Sequence, residues 1–179
     1  MLGKSRRGSA RSRAPRRFER AVWGVPALYA LHVAEEAPRF TAWARRHGSP
    51  TYTQRDFLKI NGAGLAMTLG TTWAVARWPT RPVVFAYFAT QLTQQLLWNT
   101  AFHAGTTLKW RTYSPGLVTA LAGFLPAWFL LSRRARRQAL IAPKMEVLAG
   151  VLGGAIHGAA VAGQVFGAGP FGGKRDSRV

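Results

Sequence analysis

The placement of charge constrains this chain more than any other feature. Five stretches, 21–37, 57–76, 83–104, 115–132 and 147–168, are apolar and nearly free of Lys, Arg, Asp and Glu, whereas charge collects between them and at both ends. A helix needs ~20 residues to cross the hydrocarbon core of a bilayer, and lipid admits only helices or closed barrels. The pattern predicts an all-α fold, a polytopic transmembrane helix bundle of about five spans. One helical domain over 21–168 is expected between a basic, disordered tail over 1–20 and a flexible tail over 169–179. The first span is short. The last is rich in Gly and Ala, and Gly150 to Gly154 carry a small-xxx-small pattern that lets helices approach closely in lipid. Trp43, Trp78 and Trp110 stand near span ends, where interfacial anchors belong.

The net charge is +19, from 25 Lys and Arg against 6 Asp and Glu. Such a balance raises nucleic-acid binding, but cationic side chains set beside apolar spans serve topology and contact with anionic lipid instead. Membrane lipids are therefore the expected partners and nucleic acid is not, while homo-oligomerisation stays open. With the N-terminus inside, the inner segments hold fifteen Lys and Arg and the outer ones ten. The bias favours an integral protein of a bacterial cell membrane with a cytoplasmic N-terminus. A basic region leading into an apolar run also describes a signal peptide. The segment Ala27-Leu28-Tyr29-Ala30 is a poor cleavage site, because Leu28 occupies the position that needs a small residue. The absence of cysteine excludes disulfides, cysteine zinc sites and thiol catalysis.

Two groups of polar residues interrupt the apolar spans. Span one ends in His32-Val33-Ala34-Glu35-Glu36. Positions i, i+3 and i+4 share one helix face, so His32, Glu35 and Glu36 point the same way. Ionisable groups at membrane depth are costly and normally mark function. Adjacent carboxylates repel, a cation relieves that, and imidazole with carboxylate suits zinc, iron or manganese. The competing reading is that the helix has reached the interface by Glu35 and leaves both acids in water. Span three carries Gln95, Asn99 and His103, spaced i, i+4 along one expected face, and unpaired amides in lipid are expensive. Odd-numbered spans end on the same side of the membrane, so His32 to Glu36, Asn99 and His103 share one leaflet. Asp56, Asn61 and the Tyr113-Ser114-Pro115-Gly116 segment open even-numbered spans on that side. His47 reads as a loop residue and His157 as a helix contact or a ligand. Gly167 to Gly173 read as tail, not as a phosphate loop.

These residues together resemble the HXXEE-domain family of small integral membrane proteins. The resemblance rests on His32-Val33-Ala34-Glu35-Glu36 with Phe40 and Trp43 after it, then Asn99-Thr100-Ala101-Phe102-His103, then Tyr113-Ser114-Pro115-Gly116-Leu117-Val118-Thr119-Ala120. It spans roughly 21–167. It implies a bound metal and an enzyme acting within the membrane. The site residues it implies are His32, Glu35, Glu36, Asn99 and His103, with Tyr113, Pro115 and Gly116 shaping the start of span four.

Three functions fit these residues. The first is a membrane-embedded metal-dependent enzyme, a hydrolase or a lipid-modifying enzyme. A divalent transition metal (zinc, iron or manganese) would lie between His32, Glu35, Glu36 and His103, and Glu35 or Glu36 would act as general base on water whose pKa the ion lowers. Asn99 and Tyr113 would support that site. The second is a proton-coupled transporter, against which stand the small number of spans and the lack of a visible inverted repeat. The third is a non-catalytic membrane adaptor using its Arg-rich tail.

Overall fold

The computed structural model describes residues 18–167. Among them it holds six helices and no strand, besides one helical turn at 18–21. Helix α1 is Gly24–Glu36, α2 Phe40–His47 and α3 Gln54–Arg77. Helix α4 joins Pro82–Leu92 to Asn99–Trp110 through a π-helical turn, Thr93–Trp98. Helix α5 likewise joins Leu117–Thr119 to Leu125–Arg137 through a π-helical turn, Ala120–Phe124. Helix α6 is Pro143–Gln164.

Local chemistry sets these boundaries. Thr53 and Asp56 form a reciprocal capping box at the start of α3, with Thr53 Oγ1 accepting from the Asp56 N–H and Asp56 accepting from the Thr53 N–H at 2.9 Å. The Thr53 hydroxyl and N–H, both donating to the Asp56 carboxylate, hold it below the usual carboxylate range. Pro82 and Pro143 open α4 and α6, where a missing N–H costs nothing. Gly116, at φ 102°, turns the chain into α5 through backbone that favours glycine.

Helices α3, α5 and α6 gather around α4, the central element, and α1 packs on α3 and α5. Gly153 lets α6 lie directly on α4, since a Cβ there would come within 2.9 Å of the Gln94 backbone nitrogen. The main core joins Val22, Val25, Phe85, Phe88, Leu96 and Phe124. Phe18 is fully buried in it, with its ring 5.6 Å from that of Phe85. The helical turn at 18–21 thus falls largely inside the segment expected as a tail; the remainder of that segment, and the expected C-terminal tail, lie outside the described residues. A second cluster packs Phe40, Trp43, Tyr52, Phe57 and Val165 around α2.

Three expectations change here. Trp43 is buried among aromatic rings and is no interfacial anchor. His47 closes α2 and stacks on Trp110, with centroids 4.6 Å apart, so it is not a loop residue. The expected line of Gln95, Asn99 and His103 is broken, because the π turn inserts a residue and rotates the rest of the helix. Gln95 consequently bonds Thr68 of α3, and Asn99 turns to His32 of α1.

Of the described helices, only α6 is long and apolar enough to cross a membrane by length and composition. Helix α1 has 13 residues, about 20 Å at the α-helical rise. Helix α3 carries charge at both ends, and α4 carries Gln91, Gln94, Gln95, Asn99 and His103.

Candidate metal centre

The last turn of α1 brings His32 and Glu36 onto one face, as i and i+4. The stretch of α4 beyond its π turn brings His103 against them. Glu36 Oε1 lies 3.4 Å from His103 Nε2 and 3.6 Å from His32 Nε2. One ligand atom from each of the three lies within 4.8 Å of the others, and all three side chains are buried. The two imidazole rings meet edge to face, 5.0 Å apart. His103 Nε2 has no hydrogen-bond partner among the described residues. A buried polar atom without a partner is costly and calls for an explanation.

Each ring is held from behind. Thr119 has a single hydroxyl proton, and the Glu35 carboxylate takes it at 2.5 Å. The Thr119 oxygen therefore accepts from His32 Nδ1–H at 2.7 Å, which leaves the lone pair on Nε2, facing Glu36. Asn99 Nδ2 donates to that lone pair at 3.0 Å. His103 Nδ1 pairs with Ser114 Oγ at 2.9 Å, again directing Nε2 inward. Both imidazoles thus carry the orienting hydrogen bond that metal-bound histidines show.

Glu35 and Glu36 separate. Glu35 is only partly buried and turns away from the imidazole nitrogens to the start of α5. There it accepts from the backbone N–H groups of Gly116 at 3.2 Å, Val118 at 3.1 Å and Thr119 at 2.8 Å. It also accepts from the Thr119 and Tyr113 hydroxyls. A carboxylate at a helix N-terminus satisfies orphan donors and meets the positive end of the dipole. Tyr113, in the connection before α5, is raised above the ordinary phenol range by burial and by its bond to Glu35. Glu35 is therefore a clamp that reaches His32 through Thr119, and Glu36 is the carboxylate in contact with both rings.

Gly116 shows how closely the parts approach. A Cβ there would lie 2.6 Å from His32 Cε1 and 2.9 Å from His103 Nε2. Of the other residues expected at this level, Asp56 caps α3, and Asn61 accepts from the Tyr29 hydroxyl at 3.0 Å. The sequence reading missed Thr119 and Ser114 as orienting groups. Their signal was a hydroxyl on each side of Gly116, too common a pattern to single out.

A family model described as a protein of unknown function with HXXEE motif matches residues 23–131. No curated protein and no solved structure matches the chain.

Proposed function

The chain belongs to the HXXEE family, and we propose that the motif's first histidine and last glutamate work with His103 as the centre of a membrane-embedded, metal-dependent enzyme of hydrolase or lipid-modifying type. His32, Glu36 and His103 hold one divalent transition metal, zinc, iron or manganese. The observation that carries this reading is the convergence of three buried ligand atoms on a place where His103 Nε2 has no other partner. Two imidazoles and one carboxylate are the three protein ligands of many catalytic zinc sites, and they suit iron and manganese too. Separations of 3.4 and 3.6 Å are too long for strong hydrogen bonds. They match atoms sharing an ion with bonds of ~2 Å.

When bound, such an ion polarises substrate oxygen and lowers the pKa of water. The chain's own residues supply position and protonation state. Thr119 and Ser114 keep the Nδ1 sides of both rings occupied, so both Nε2 atoms face Glu36. Glu35 fixes Thr119 and the start of α5. Asn99 holds the His32 lone pair, so its amide must turn aside as His32 binds.

The membrane setting rests on α6 and on an exterior that carries many large apolar side chains, among them Leu31, Trp73, Val83, Leu108, Phe129 and Val151. Polar side chains of α3 and α4 meanwhile pair across the seam between the two helices. Thr68 donates to Gln95 Oε1 at 2.8 Å, and Thr71 bonds Gln91. Apolar outside with paired polar groups inside is what lipid requires. In this setting the five long apolar stretches cross the bilayer with the N-terminus cytoplasmic.

Plasma mass spectrometry of detergent-purified protein tests the centre. The wild type is expected to carry about one equivalent of a transition metal, and the folded His32→Ala/His103→Ala variant none. No metal in either protein, after chelator-free purification and reloading, overturns the reading.

A further inference from the structure

Glu36 and Asn99 also line a cavity of about 310 Å³ between α1, α3, α4 and α6, a volume at the small end of ligand pockets, ~300–1,000 Å³. Three features of the cavity bear on what it holds. Its walls are largely aliphatic and aromatic, including Phe102, Met67, Ile156 and Val161. Among the described residues its lining contains no Lys or Arg, so none of them neutralises an anionic head group. His157 of α6 also lines the cavity, with a buried Nε2 that has no hydrogen-bond partner among the described residues. His157 lies outside the residues matched by the family model.

The cavity also has an opening. Helices α3 and α6 both pack on α4 but scarcely touch each other. Met67 and Ile156 flank that gap, line the cavity and are 40% and 51% exposed. The cavity thus reaches the apolar exterior sideways, between two helices.

We propose that this cavity binds a lipid-like amphiphile, a single apolar chain with an uncharged, oxygen-bearing head of the ester or alcohol class. The ligand enters between α3 and α6, lays its chain along the apolar walls, and sets its head between Asn99 and His157, beside Glu36. His157 Nε2 supplies the hydrogen bond at the far side of the head. The inference rests on the metal-enzyme reading for what happens to the head, and on the cavity alone for binding.

Photolabelling of the full chain in phosphatidylcholine nanodiscs tests it, with a diazirine-bearing monoacylglycerol as probe. Peptide mapping is expected to place the label on residues 60–67 and 156–165. Unlabelled monoacylglycerol should compete, and the free fatty acid should compete several-fold less well. Ala160→Phe, which fills the cavity, should cut labelling several-fold. His157→Ala should weaken monoacylglycerol competition several-fold while keeping the label in the same peptides. If Ala160→Phe does not fold, the competition on the wild type still decides. Label spread evenly over outer helix faces, without competition, overturns the cavity; stronger competition by the fatty acid overturns the uncharged head. Metal content is read on the same samples. Saturable labelling without metal leaves the cavity standing and overturns the centre, and metal with non-saturable labelling does the reverse.

Discussion

Two carboxylates adjacent in the chain have different surroundings. Glu36 is buried between two imidazoles and meets no backbone donor among the described residues, whereas Glu35 accepts three backbone N–H groups and two hydroxyls at the start of α5. Removing the charge from each should therefore have different consequences. Glu36→Gln takes away one of three ligands and is expected to abolish metal binding in a folded protein. Glu35→Gln keeps all three ligands but loosens Thr119 and with it His32. Loss of such outer support typically costs ~10–100-fold in metal affinity. Chelator competition on the two purified variants measures both, and equal, complete loss of metal in both would contradict the division. The HxxEE spacing alone placed His32, Glu35 and Glu36 on one helix side. It left open which carboxylate ligates, because that depends on Gly116 and Thr119, some eighty residues further along. Gly116 fits between both histidine rings only because it lacks a Cβ.

At the scale of elements, the two π turns decide which helix faces meet. Thr93–Trp98 directly precedes Asn99, and Ala120–Phe124 comes directly after Thr119. The first turn leads directly into Asn99, which bonds His32, and the second follows directly on Thr119, a placement seen often for π turns at functional sites. Without the first, Gln95 and Asn99 would share a face; with it, Gln95 serves the α3–α4 seam and Asn99 the metal centre. Apolar run lengths in the sequence located α3, α4, α5 and α6 to within a few residues, since burial or lipid contact demands continuous apolar surface. They did not show the π turns, which arise from tertiary packing, or α2, whose eight residues bury only Phe40, Trp43 and Ala44. The seam itself can be weighed. Thr68 and Gln95 form a buried hydrogen bond between α3 and α4. A double-mutant cycle with Thr68→Val and Gln95→Leu, read by unfolding in mixed micelles, should return a coupling of ~0.6 kcal/mol and at most ~1.7, the range for such bonds in membrane bundles. Zero coupling would mean that the two side chains do not hold the helices together.

The whole molecule turns on how its charges and its apolar exterior combine. Of the described helices only α6 passes as a membrane helix on its own, yet the outer faces of α3, α5 and α6 expose Leu58, Trp73, Phe129, Leu130, Val147 and Val151. A bundle can cross lipid with helices that would not cross singly, provided their polar groups face one another. In the proposed membrane setting the positions of Lys and Arg favour the 133–144 segment inside and the 39–59 segment outside. Because the chain has no cysteine, any single introduced cysteine reports its own location. Thr51 and Arg137 are both exposed and lie on opposite sides of α3, α4 and α5. Three crossings between them should put Thr51→Cys outside and Arg137→Cys inside. A membrane-impermeant maleimide applied to intact cells is expected to label the first and to reach the second only after permeabilisation. The reverse pattern would invert the orientation and move the metal centre to the cytoplasmic leaflet, because the centre lies at the end of α1 that leads toward Thr51. Labelling of both in intact cells would mean that the stretch between them does not cross three times, and would remove the basis for placing the centre in a membrane.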